Sequence, residues 1–214
     1  DVVVNKLKTK YKVDVDLKEP RIPYRETIRS TVTVEGKHKK QSGGAGQFGD
    51  VFITFEPCDS LDMVFEEKVF GGAVPRQYFP AVEAGLREAM NKGVLAGYRV
   101  VGVKATLVDG KYHEVDSKEI AFKMAAKLAY KAGMPQAKPV LLEPIVRLDV
   151  VAPEEFTGTI IGDFNKRRGL ILGMDLNEEG EQVVSAEVPM SEVMRYSTEL
   201  RSFTQGIGTY TQRF

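Results

Sequence analysis

Hydrophobic and polar positions alternate along this chain with two periods, and the switches between them mark its elements. In residues 1–22, Val3, Val4 and Leu7 are spaced for a helix and Val13, Val15 and Leu17 for a short strand, with Pro20 and Pro23 at the exit. One helix and one strand cannot close a core, so this stretch reads as the remnant of a preceding domain. Residues 23–138 read as an α+β domain. Its first strand is expected over about 24–34, followed by the basic cluster Lys37-His38-Lys39-Lys40 and a glycine-rich loop at 42–49. A strand at about 51–56 sets Val51, Ile53 and Phe55 on one face, and 63–70 is a further strand candidate. A helix is expected over 79–91, with Pro80 in its first turn, Val82, Leu86 and Met90 as the buried stripe and Gly93 as the stop. A β-branched strand at 98–108 and a loop at 109–115 lead to a helix at 118–132. Asp116 or Ser117 is placed to cap that helix, Glu119 to complete a capping box with Asp116, and Ile120, Met124 and Leu128 to form its core face.

The rhythm changes in residues 139–214, to strand, helix, strand, strand, helix, strand. Val146, Leu148 and Val150 alternate, Phe156, Ile160 and Phe164 follow at helical spacing, and Asn177 to Gly180 reads as a hairpin turn. Val193, Tyr196 and Leu200 mark the second helix. This order is that of a ferredoxin-like split βαβ unit. The fold class is therefore α+β in two domains.

Charge reinforces the division. The 214 residues carry 30 Lys+Arg and 30 Asp+Glu, so net charge names no partner. Residues 141–214 hold seven of the cations and twelve of the anions, a balance of −5, which leaves +5 on residues 1–140. One cysteine, Cys58, excludes an internal disulfide framework and fits a reducing compartment. No signal peptide and no apolar run of about 18 residues is present, so neither secretion nor a membrane span is indicated. A start at Asp1 within a helical pattern suggests an excised fragment.

Three segments could carry chemistry. The run Ser42-Gly43-Gly44-Ala45-Gly46-Gln47-Phe48-Gly49 could cradle phosphate on exposed peptide N–H groups, or serve only as a flexible hairpin tip. It is no nucleotide P-loop, because that motif needs Lys and then Ser/Thr after the last glycine. Lysines 37, 39 and 40 just before it favour a nucleic-acid-facing tip. In the second segment, Asp109-Gly110-Lys111-Tyr112-His113, Tyr112 could stack on a base and His113 could hydrogen-bond to phosphate or ribose, or the whole could be an exposed turn. The third is Lys166-Arg167-Arg168, which suits a helix C-terminus and equally an RNA contact. No catalytic carboxylate pair and no metal-ligand spacing appears.

Longer motifs go further. Tyr24-Arg25-Glu26-Thr27-Ile28, Gln41-Ser42-Gly43-Gly44, Gly71-Gly72-Ala73-Val74-Pro75, Gly93-Val94-Leu95-Ala96-Gly97-Tyr98 and His113-Glu114-Val115-Asp116-Ser117 resemble domain IV of bacterial elongation factor G or a close paralogue. Leu142-Glu143-Pro144-Ile145, Arg167-Arg168-Gly169, Leu200-Arg201-Ser202 and Thr204-Gln205-Gly206 resemble its domain V. The resemblance implies an end of domain III over 1–22, an elongated, ribosomal-protein-like βαβ domain with a left-handed crossover over 23–138, and a ferredoxin-like domain over 139–214. It implies a ribosome-binding arm of a translational GTPase that promotes tRNA–mRNA translocation. His113, Tyr112, Lys111, Gly110, Ser42, Gly43, Gly44, Gly46 and Gln47 would form tip loops that enter the A site on the small ribosomal subunit. Lys166, Arg167 and Arg168 would touch rRNA near the stalk base. No catalytic residue, metal or cofactor is expected in this chain; GTP and magnesium would belong to an N-terminal GTPase domain in cis. A cytoplasmic monomer with no membrane partner is implied. Departures from the family pattern are Ala45 for a usual Arg, Asp50 for a common His and Phe48 for a usual Tyr. The alternatives are a paralogue with a recycling or ribosome-protection role, a stand-alone RNA-binding module, and a small-molecule kinase sharing the domain IV fold.

Overall fold

A computed structural model describes residues 21–214, the side chain of Ser42 excepted. The helix and strand expected before residue 20 lie outside the described residues. The described chain divides into two compact units, one ending at Glu143 and one running from Pro144 to Phe214.

The first unit is organised by a four-stranded sheet with the order β2-β3-β5-β4. Strands β2 (Val32–Ser42) and β3 (Ala45–Pro57) form one long antiparallel hairpin. Strand β5 (Val103–Lys111) pairs antiparallel with β3 and parallel with the short β4 (Val64–Glu67). The β4–β5 crossover runs through helix α1 (Phe79–Ala89), and helix α2 (Glu119–Gly133) follows β5. The strand expected at 24–34 is two strands. β1 (Arg25–Ile28) breaks off at the bend near Ser30 and pairs with β6 (Pro139–Leu142), away from the main sheet. The domain boundary expected at 138 thus falls at the start of a strand that closes back onto β1, and the compact unit runs on to Glu143.

The stripe Val82, Leu86 and Met90 is buried in the core with Val51, Ile53 and Phe55. Helix α2 presents a different face from the one expected. Ile120 and Leu128 are 47% and 39% exposed, while Ala121, Phe122, Ala125, Ala126, Ala129 and Tyr130 are buried. The cause is distance. A Cβ at Gly36 on β2 would sit 2.1 Å from the Ala125 carbonyl oxygen, and one at Gly85 on α1 would sit 2.5 Å from that of Lys123. The helix lies so near both neighbours that only alanine-sized side chains fit beneath it. The expected caps are absent too: Lys118 occupies the N-cap with no side-chain bond, because Ser117 is bonded elsewhere.

Glu26 on β1 is buried, and its carboxylate accepts N–H bonds from Leu95 (2.8 Å), Ala96 (3.1 Å) and Tyr98 (2.8 Å). Gly93 leaves room for it, since a Cβ there would lie 2.2 Å from the Glu26 carboxyl carbon. Burial first, and then this carboxylate, push the neighbouring Tyr130 phenol up, away from ionisation.

The second unit has the sheet order β10-β7-β9-β8, all antiparallel, with β7 at Ile145–Ala152, β8 at Leu170–Leu176, β9 at Gln182–Pro189 and β10 at Thr209–Arg213. Helices α3 (Thr157–Lys166) and α4 (Tyr196–Phe203) supply Ile160, Phe164, Tyr196 and Leu200 to a core with Val146, Leu148 and Val150. This is the expected ferredoxin-like arrangement.

Replacing Glu26 by Ala orphans three buried N–H groups and is expected to lower the stability of the first unit by about 3 kcal/mol. Urea unfolding monitored by far-UV circular dichroism measures it, and a loss below about 1 kcal/mol refutes the clamp.

Candidate nucleic-acid interface

Strand β5 stops supporting β3 at the Asp50–Lys111 pair, whereas β2 accompanies β3 to the Ser42–Ala45 pair. The outer part of the hairpin therefore projects past the sheet as a two-stranded ribbon. Most of the expected glycine loop is strand, and so is the basic cluster at 37–40; only Gly43 and Gly44 form the turn. Both have positive φ, 63° and 95°, with open space where a Cβ would stand. Such a two-residue turn with left-handed backbone suits the twist of a hairpin.

The second loop takes over where β5 leaves. The Phe48 N–H donates to the Asp116 carbonyl at 2.9 Å, and the Ser117 hydroxyl donates to the Phe48 carbonyl at 3.0 Å. The same hydroxyl oxygen accepts the His113 N–H at 2.8 Å. The His113 ring meets Phe48 edge-on with centroids 4.0 Å apart, and the Lys37 ammonium lies 5.7 Å from the Phe48 centroid. Gly46 and Gly49 are spacers. A Cβ at Gly46 would lie 2.6 Å from an Asp116 carboxylate oxygen, and one at Gly49 would lie 2.8 Å from the Ala121 backbone.

These contacts bring Gly43, Gly44, Gly46, Gln47, Gly110, Lys111, Tyr112 and His113 to one end of the first unit. The backbone of Ser42 stands there too, paired with Ala45. The Gln47 Oε1 and His38 Nε2 atoms are hydrogen-bonded at 2.9 Å, and Lys111, Tyr112 and His113 are exposed. An open notch of about 330 Å³ is lined by Gln41, Gly43, Gly44, Ala45, Gly46 and Asp116. Residues 37–49 and 111–118 together hold five lysines against Glu114 and Asp116, a balance of +3. Peptide groups, one aromatic ring and surplus positive charge are what a nucleic-acid strand requires of a surface.

Sequence reasoning did not assign structural work to Phe48, Ser117 or Tyr78. The Tyr78 hydroxyl donates to the Ser117 carbonyl at 3.0 Å, and its ring stacks on Phe122. Hydrophobic and hydroxyl residues beside glycines were the only available signal. Lys166, Arg167 and Arg168 belong to the second unit. Arg167 commits its guanidinium there, to the Asp163 carboxylate (2.8 Å), the Glu192 carbonyl (2.6 Å) and the Glu199 carboxylate, over the Tyr196 ring. Arg168 pairs with Glu192 at 3.1 Å, and Lys166 is exposed.

Asp50 stands at the root of the ribbon, buried, with Oδ1 unpartnered. Burial foremost, and then the hydrogen-bonded, like-charged Glu35, push its carboxyl up to about 6, against the opposing pull of Lys37 and Lys111. The folded chain thus binds this proton more tightly than the unfolded chain does. The advantage to folding is present below the ordinary aspartate range, near pH 4, and is lost as pH rises through about 6.

The chain matches the family description "Elongation factor G, domain IV" over residues 20–138 and "Elongation factor G C-terminus" over residues 140–214. It also superposes on a crystal structure of a protein from Thermus thermophilus, with 47% identity and a TM-score of 0.89. That match covers all of this chain and 32% of the other, so the chain spans about a third of its relative's length.

Asp50→Asn removes the titration and keeps a hydrogen bond to Glu35. It is expected to raise stability at pH 7.5 by about 1–2 kcal/mol and to change it little at pH 4. Denaturation at the two pH values measures this; an equal effect at both contradicts the assignment.

Proposed function

The chain belongs to the elongation factor G family, and from that premise we propose that it is the ribosome-binding arm of a translational GTPase. In this reading its first unit carries the tip that enters the A site on the small ribosomal subunit and holds the tRNA–mRNA duplex in its translocated position. The single observation that carries the reading is the docking of the His113 loop on Phe48, which makes one composite end from two segments 65 residues apart.

The chemistry required is differential binding. A tip that binds only the translocated arrangement of RNA shifts the equilibrium by the contacts it makes there. Gly43 and Gly44 let a ribose–phosphate backbone approach the peptide groups without side-chain clash. His113 and Tyr112 offer rings and donors, and the surplus lysines attract phosphate. Residues from Lys37 to Gly49 form a ribbon whose root is fixed by α2, so binding at the turn is not dissipated in bending of the strands.

The glycine run does not fit GTP. Phe48, Gly49 and Asp50 are buried strand residues, and no lysine follows them as a P-loop demands. Nucleotide and magnesium therefore fall to a domain outside these residues, and this chain supplies recognition. A cytoplasmic site of action accords with ribosome binding, and among the described residues no helix is long and apolar enough to cross a membrane.

A second reading, a paralogue that acts in recycling or ribosome protection, is favoured by Ala45 at the turn and by the carboxylate of Asp50 at the ribbon's root. Both reduce the phosphate attraction of the tip.

In the full-length factor, His113→Ala is expected to slow single-round translocation at least tenfold while leaving ribosome-stimulated GTP hydrolysis within about twofold. Translocation at the parental rate would sink the tip mechanism. Ala45→Arg restores a cation beside the notch and is expected to tighten ribosome binding and steepen its log–log salt slope by about one. Binding and slope both unchanged would show that this position faces no phosphate.

A further inference from the structure

Between β4 and α1 the chain carries a side chain that the fold does not use. Phe70 is 93% exposed. The segment holding it is fixed along its length. The Lys68 N–H donates to the Leu107 carbonyl at 2.8 Å, which extends the β4 ladder along β5. Val74 is buried over Gly110, where a Cβ would meet its Cγ2 at 2.5 Å. Beyond that, Tyr78 is tied to Ser117 of the His113 loop. Gly71 and Gly72 both take positive φ, 66° and 69°, with open space around them, and the Ala73 N–H reaches back to the Phe70 carbonyl at 3.4 Å. A fixed turn thus holds a phenylalanine out into water beside the strand that leads to the tip.

The surroundings of the ring decide what can cover it. Its exposed neighbours are Lys68, Gly71 and Gly72, with Arg76 exposed further along. From Lys68 to Val82 the chain has two cations and no acid. A protein partner would require a contiguous apolar patch around the ring. A single ring bordered by bare glycine backbone and by cations instead matches the face of a nucleobase with its phosphates on either side. Six residues separate Val51, which pairs with Gly110, from Ala45 at the turn, so the Val74 contact lies roughly 20 Å back along the ribbon.

We propose that Phe70 is a base-stacking platform for RNA, with Lys68 and Arg76 as its phosphate contacts, forming a third recognition element behind the two tip loops. It rests on the ribosome-binding reading above and adds a contact to it.

The test uses the full-length factor bound to ribosomes at fixed salt, with Phe70→Ala, Phe70→Leu and Phe70→Trp compared with His113→Ala. Both Phe70→Ala and Phe70→Leu should weaken binding roughly tenfold, whereas Phe70→Trp should stay within about twofold. Thermal unfolding should not move in any of the three, because the ring supports no core. Benzoylphenylalanine at position 70 should crosslink to RNA. Retained affinity in Phe70→Leu, or crosslinking to protein, overturns the stacking assignment in favour of an apolar protein contact. If His113→Ala weakens binding and Phe70→Ala does not, this proposal fails and the ribosome-binding reading stands. If neither weakens it, both fail.

Discussion

The peptide group of Phe48 sits where β3 loses one of its two neighbours. On one side β2 continues to the turn; on the other, β5 ends at Lys111. An edge left bare at that point would waste a backbone donor and acceptor and leave the ribbon free to bend or to pair with another strand. Asp116 and Ser117 fill the gap with one carbonyl and one hydroxyl. Each bond is worth only about 1 kcal/mol net, but their joint effect is positional. Ser117 also holds the His113 N–H, so the histidine is located by the same hydroxyl that closes the ladder. The ring then rests on Phe48, and the two loops become one surface.

That surface is stiff because the helix beneath the hairpin packs on backbone. Gly36 and Gly49 admit Ala125, Ala129 and Ala121 to distances no larger side chain would allow. Dispersion contacts grow with such proximity, and there is no side chain between helix and strand to change rotamer. Gly43 and Gly44 have the opposite role: their left-handed backbone makes the turn, and nothing packs on them. A glycine-rich run in the sequence thus divides into residues that immobilise the ribbon and residues that expose its end.

The division is what sequence patterns could not express. The second unit was legible because Val146, Leu148 and Val150 alternate cleanly and its helices bury large residues. In α2 the same logic pointed to Ile120 and Leu128, and the buried face turned out to be alanine, since contact distance rather than side-chain size set the packing. The lysines at 37, 39 and 40 looked like a loop because they are charged; in a projecting ribbon both faces meet water, so charge carries no information about strand pairing. Resemblance named Tyr24 to Ile28 and Gly93 to Tyr98 as separate motifs. Only coordinates join them, because the link is one carboxylate bonded to backbone amides about seventy positions away. The tip residues were found from glycine and histidine chemistry, while Phe48, which unites them, resembled any core aromatic.

The electrostatics of the ribbon follow from the same geometry. Lys37 and Lys111 flank Asp50 across the ladder, so at neutral pH the ionised carboxylate offsets part of their field at the root. At physiological salt, charges separated by more than about 8 Å are largely screened, so the root contributes little to attraction at the turn. Near the turn itself, the notch is lined by peptide groups, Gln41 and the Asp116 carboxylate, with alanine at position 45. Acceptors and bare backbone dominate the place where a nucleic acid would make its closest approach. Discrimination at such an end comes from hydrogen-bond geometry and ring contacts, which are short-ranged, and the exposed lysines along the ribbon serve mainly to bring the strand within reach.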